Sequence, residues 1–433
     1  MDLLCHPARG RLGQFLVCFA LLAALAAGQS ACQTAGEATD YWRESAAAND
    51  ALREKRYQVA ARHAENAARL ALEENRGPFR RGVALMRLAF AYADLGEFEK
   101  AESAGQEALE IFGSHPELDH RHGNVIEVLR LLAEIDRAEG KPCSALEKLS
   151  RARTLDSSGM VSDWEFARIY RELGRFDLAV EYVKKLDDSF ITEFTWVSFD
   201  YPLAGLYWDD EQYERASDHA RAALAQARSI VDGVKLIPYL QFLALILADL
   251  GNGEEADAQL DEADALLDEA EALFEAADDP HLRSMSYVLT ARAVIRMRQG
   301  RFAESDALLT EALAAMDRWP EAETGLQRRL DELEREALRA GLIYRRAVLR
   351  ETEGRHDEAV ACFEQTLKLF EKRYGRTNPR LARSLGDYRR LLAATGDEAG
   401  AARQQARLDA IAAVRRTDPL RHCADETARG SLR

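Results

Sequence analysis

"GSHPELDHRHG" places His115, His120 and His122 within eight residues, and three imidazoles at that spacing could hold a metal. The stretch is polar and joins two helical patterns, so an exposed loop without a metal is expected. A glycine-rich phosphate loop, H-E-x-x-H, G-x-S-x-G and a paired C-x-x-C are all missing from the sequence. Neither a catalytic residue nor a cofactor is expected. Binding chemistry is better represented. Between 190 and 213, "FITEFTWVSFDYPLAGLYWDDEQY" gathers Phe190, Phe194, Trp196, Phe199, Tyr201, Tyr207, Trp208 and Tyr213. Trp164, Arg168 and Arg171 lie just ahead of it, with Arg130 and Arg137 further upstream. Trp, Tyr and Arg anchor protein interfaces, a few of them contributing about 2 kcal/mol or more each. The alternative is that the aromatics fill gaps in an irregular core.

The elements that would position these side chains repeat along the chain. "AYADLGEFEKAESAGQEAL" reads as the end of one helix, a turn at Gly96 and the start of a second helix, with small Ala101 allowing close approach. Tyr92 and Phe98 fill the angle between the two. The same spacing recurs at Tyr57/Ala60, Gly140/Ala145, Gly174/Ala179, Tyr213/Ala216, Gly251/Ala256, Gly300/Ser305, Gly354/Ala359 and Gly396/Ala401. Glu211 stands where the fifth turn would have glycine, and Ser305 where the seventh copy would have alanine. One hairpin cannot bury its own apolar face, so successive hairpins must stack.

The pattern resembles the tetratricopeptide repeat, whose unit is 34 residues, with lengthened copies like those of the kinesin light chain. "EKRYGRTNPRLARSLGDY" is similar to the linker of that longer type. The resemblance covers residues 41 to 412. It implies an all-α fold, a right-handed superhelical solenoid of about nine helical hairpins, with a concave face lined by the first helix of each repeat. Helical register then points Trp164, Arg168, Arg171, Tyr201 and Trp208 into that groove, with Arg130 at its margin. The Lys and Asn pattern by which related repeats clamp a terminal carboxylate is not present.

Residues 1 to 31 read as a signal peptide. Arg9 and Arg11 precede an apolar run from Phe15 to Gly28, too short for a comfortable membrane span of about 20 residues. Small residues and Cys32 follow, which resembles a bacterial lipobox, although Gln29 stands where Leu is usual. Lipidation at Cys32 and membrane attachment are expected, and soluble export after cleavage near Ala26 or Gly28 and a retained anchor are the alternatives. Residues 32 to 40 form a short linker, and 413 to 433 a basic, disordered tail. Cys143, Cys362 and Cys423 are expected to be free thiols, because Cys143 and Cys362 lie about 220 residues apart in an elongated array.

A net charge of −16 argues against nucleic acid, whose phosphates need a basic surface. Residues 253 to 280 carry twelve acidic side chains and no basic one, consistent with a solvated face or with the docking of a basic partner. From residue 376 onward the balance reverses, with twelve Arg against seven acidic residues. The expected function is a non-enzymatic scaffold of a bacterial cell envelope, periplasmic or membrane-anchored, holding a protein or peptide partner along its groove. The alternative is a cytoplasmic ligand-sensing or regulatory solenoid that controls an effector.

Overall fold

The computed structural model describes residues 40–114, 121–157, 159–186, 198–250, 256–275, 282–319, 322–417 and 423. The expected signal peptide (residues 1–31), Cys32, residues 32–39 of the expected linker, His115, His120, the His122 side chain and the Phe190, Phe194 and Trp196 positions lie outside them. Among the described residues eighteen α-helices follow one another and no strand occurs. They pair as nine hairpins. The pairs are Asp40–Arg53 with Tyr57–Glu73, Pro78–Leu95 with Phe98–Gly113, and Arg121–Ala138 with Pro142–Leu155. Asp163–Glu172 pairs with Phe176–Val183, Asp200–Asp209 with Tyr213–Ile230, and Ile237–Leu250 with Ala256–Glu275. Leu282–Arg298 with Phe302–Asp317, Gly325–Thr352 with His356–Tyr374, and Ala382–Ala394 with Glu398–Arg415 complete the series.

One turn is used over and over. Gly96, in the left-handed conformation at φ 82°, donates its N–H to Ala93, Glu97 donates to Tyr92, and Ala101 donates to Glu97, so orphan groups at both helix ends are satisfied. The same three bonds recur at Lys55/Arg56/Ala60, Gly140/Lys141/Ala145, Gly174/Arg175/Ala179 and Glu211/Gln212/Ala216. They recur again at Gly300/Arg301/Ser305, Gly354/Arg355/Ala359 and Gly396/Asp397/Ala401. The turn after Leu250 lies outside the described residues. Lys55 and Glu211 hold φ of 58° and 62°, so their turns keep the glycine geometry at a steric cost.

The small residue after each turn is where the two helices meet. Ala60, Ala101, Ala145, Ala179, Ala216 and Ala359 have no exposed surface. Ser305 is equally enclosed, and its hydroxyl donates to the Ala293 carbonyl at 2.8 Å. That bond explains how a polar residue is tolerated at an alanine position.

The chain divides into two compact units, each described by itself. The smaller runs to Glu165 and adds Ala322–Asp331, while the larger holds Phe166–Glu321 and Glu332 onward. In the smaller unit, Gly325 at the start of a 28-residue helix meets the Gly96 turn, and a Cβ there would lie 2.2 Å from the Gly96 nitrogen. Arg329 donates to the Ala138 carbonyl in the same unit. In the larger unit the Ile237–Leu250 helix is apolar nearly all round and buried by its neighbours on several sides. With the preceding 3₁₀ turn it has the length and apolarity of a membrane span, but it is a core helix here. A second core joins Tyr344, Phe363, Leu367, Leu385, Tyr388 and Leu391.

The cysteines depart from expectation. Cys362 is a free, half-buried thiol, but Cys143 and Cys423 are disulfide-bonded, and Cys423 is buried. The expectation of free thiols weighed only the separation between Cys143 and Cys362.

Candidate functional site

The six side chains named from sequence fall in two separate sets, because Arg130 and Trp164 belong to the smaller unit and Arg168, Arg171, Tyr201 and Trp208 to the larger. In the smaller unit, Arg130 donates from Nε to Glu165 at 2.7 Å, and Glu165 also accepts the Ser162 N–H at 2.8 Å. Trp164 is buried beside this pair in sequence, and Arg137, also buried, donates to Glu134. Glu127 is 6% exposed, one turn before Arg130 on the same helix. Burial pushes its carboxyl up to about 7 even though Arg130 and Arg87 oppose the shift.

In the larger unit the named residues sit in a buried layer of charge and aromatic rings. Tyr201 is 5% exposed and packs against Tyr239 and Phe242, with ring centroids 4.9 and 5.4 Å away. Trp208 is 8% exposed, meets Phe242 edge-on, and donates its indole N–H to Asp249 at 3.0 Å. Asp249 is gripped by both terminal nitrogens of Arg345, at 2.9 and 3.0 Å, and approached by Arg383 at 3.8 Å. Burial alone would raise the Asp249 carboxyl, but Arg345 and Arg383, with the hydrogen bonds from Arg345 and Trp208, hold it down at about 2. Arg171, 4% exposed, donates to Asp209 at 2.6 Å, and Arg380 reaches the same carboxylate at 2.8 and 3.3 Å. Arg168 is half-buried.

Thus four of the six residues named from sequence (Trp164, Arg171, Tyr201 and Trp208) are enclosed, while Arg130 and Arg168 keep part of their surface. Sequence reasoning missed Asp209, Asp249, Arg345, Arg380 and Arg383. One signal was available, since Asp249 ends the otherwise apolar run "LALILADL", and a carboxylate there needs a buried cation.

The acidic helix Ala256–Glu275 is paired with arginines of its flanking helices. Arg221 meets Glu262, Arg228 meets Glu269 at 2.5 Å, Arg292 meets Asp268 at 2.8 Å, and Arg296 meets Asp264 at 2.8 Å. Glu102, Asp136 and Glu139 bring carboxylate oxygens within 4.8 Å of one another in the smaller unit. Lys148 holds Asp136 at 2.5 Å and Lys141 holds Glu139 at 2.7 Å, so this trio already has cations of its own.

The tetratricopeptide repeat family matches residues 83–115, 164–188 and 340–373, each falling on a hairpin described above. No curated protein matches the sequence. Among solved structures, the chain is similar to the apo form of RapI at 10% identity and a TM-score of 0.49, over 87% of this chain and 97% of that one. It is similar to a Rap protein complexed with competence and sporulation factor at 14% identity and a TM-score of 0.44, over 76% and 97%. A kinesin-light-chain protein of Podospora anserina with nearly identical TPR-like repeats gives 18% identity and a TM-score of 0.32, over 51% and 96%. The described residues form an all-α array of helical hairpins, three of which match the tetratricopeptide repeat in sequence.

Proposed function

We propose that this protein is a non-enzymatic scaffold, exported and lipid-anchored through Cys32 in a bacterial cell envelope, that holds a protein or peptide partner against the inner faces of its first helices. The observation that carries this reading is the run of nine hairpins built mostly on one repeated turn, because hairpins stacked within a unit set their first helices side by side as a binding face. The chemistry of those faces is that of recognition. Arg, Asp, Glu and Trp side chains sit there in hydrogen-bonded pairs, with Arg168 and Arg130 reaching the surface in their respective units. The disulfide-bonded Cys143 and Cys423 support export, since such bonds persist in oxidising compartments.

The test is capture of partners from an envelope fraction after mild crosslinking, using the wild-type chain, Arg130→Ala, and Arg168→Ala combined with Trp208→Ala. Melting temperature is measured on the same samples. A partner lost from a variant that melts like wild type supports the reading. Loss only in step with a large fall in melting temperature makes these side chains structural, and no specific partner with any chain sinks the scaffold. Mass spectrometry of the mature N-terminus tests the anchor, and an unmodified terminus upstream of Cys32 rules lipidation out.

A further inference from the structure

Within the larger unit, the linker Gly375–Leu381 is seated on a hairpin turn some 200 residues earlier in the chain. Three consecutive residues of the linker make three different contacts. Asn378, in extended backbone at φ −71° and ψ 132°, donates its side-chain amide to the Glu172 carbonyl at 2.7 Å. Pro379 fills the notch left by Gly174, where an added Cβ would come within 2.4 Å of the proline Cδ. Arg380 presents its guanidinium to Asp209 at 2.8 and 3.3 Å, 5.6 Å from the Phe176 ring centroid. Arg171 fixes the same carboxylate.

These contacts read a short segment by type. A backbone carbonyl selects an amide, a glycine notch selects the flat proline ring, and a carboxylate beside an aromatic face selects arginine. A groove that recognises extended peptides uses the same combination of backbone capture and side-chain pockets. We propose that the Glu172–Gly174–Asp209 surface is a peptide-binding site whose resident occupant is the chain's own Asn378-Pro379-Arg380, and that its partner in trans is an extended segment carrying an arginine directly after a proline. This rests on the scaffold reading and names the partner class. Exchange is physically open because a peptide with the same three groups would replace these three contacts like for like, while Arg171 keeps Asp209 paired throughout.

The experiment uses the full chain and a fluorescent synthetic peptide of sequence GRTNPRL, identical to residues 375–381. Arg380→Ala empties the pocket of its resident guanidinium, so this variant should bind the peptide at least about tenfold more tightly than wild type. The peptide GRTNPAL should fail to bind it, and adding Asp209→Asn should abolish the gain. Equal binding by Arg380→Ala and wild type overturns the proposal, as does a gain that survives Asp209→Asn. Should Arg380→Ala fail to fold, hydrogen exchange on the wild-type chain decides the matter. Excess GRTNPRL should speed exchange at the Arg380 and Leu381 amides, which now donate to Asn378, and unchanged exchange overturns the proposal. If the peptide experiments fail while envelope capture succeeds, only this assignment falls; if capture fails too, the scaffold reading falls with it.

Discussion

Glu127 gives the sharpest energetic test. Its folded carboxyl titrates at about 7 against an ordinary value of 4.5, because burial penalises the charge more than Arg130 and Arg87 relieve it. A raised carboxyl contributes stability that is fully present below pH 4.5 and lost as pH rises through 7. Raising the carboxyl by about 2.5 pH units at about 1.4 kcal/mol each sets the loss at roughly 3.5 kcal/mol between pH 4 and pH 9. Glu127→Gln has no such proton to lose. The variant should therefore keep at pH 9 the local stability that wild type has only in mild acid. The readout is hydrogen exchange of the Arg121–Ala138 amides, corrected for the intrinsic pH dependence and measured at several pH values in both chains. Parallel pH curves for wild type and Glu127→Gln would refute the reasoning, because they would show that the carboxyl is neutral or solvated throughout the range.

Three further outcomes are expected. Arg345→Ala removes the two-point partner of the buried Asp249 carboxylate, leaving it Arg383 and the Trp208 N–H, and should destabilise the larger unit by about 3–5 kcal/mol in urea melts at pH 7; since Asp249 is held down at about 2, wild type should lose this contribution as pH falls from about 4 through 2, and the variant should show a shallower acid loss. Glu211→Gly relieves a residue at φ 62° and should raise the melting midpoint by a stabilisation of up to about 1 kcal/mol, less what the greater freedom of the unfolded chain removes. Gly325→Ala drives a methyl group into the Gly96 backbone and should cost roughly 1–3 kcal/mol or more, with exchange loosening first at the Gly96 turn; an unchanged midpoint would mean the two backbones can separate freely.

The hairpins were legible because the turn is local. Three hydrogen bonds spanning at most five residues define it, so a glycine and a small residue at fixed spacing announce it, and even Glu211 in the glycine position does not hide it. The depth at which side chains of the first helices sit was not legible. Whether Trp208 ends in solvent or against Asp249 depends on Arg345, nearly a hundred residues further on. No local pattern encodes that pairing beyond one carboxylate in an apolar run. The acidic helix shows the same limit, since its charge was plain while the arginines that answer it lie on two other helices.

The contrast between local turns and distant pairs bears on the order of assembly. Each turn can close as soon as its own residues leave the ribosome or a translocation channel, since it asks for nothing outside the hairpin. The contacts of Asp209 with Arg380 and of Asp249 with Arg345 and Arg383 must wait for the last repeats. Until then Asp249 lacks both of its cations and Asp209 has only Arg171, and the chain is a string of formed helices with an unfinished interior. Folding of the larger unit should therefore end at its C-terminal repeats, and a chain truncated before Arg345 should carry native-like hairpins around an unneutralised centre.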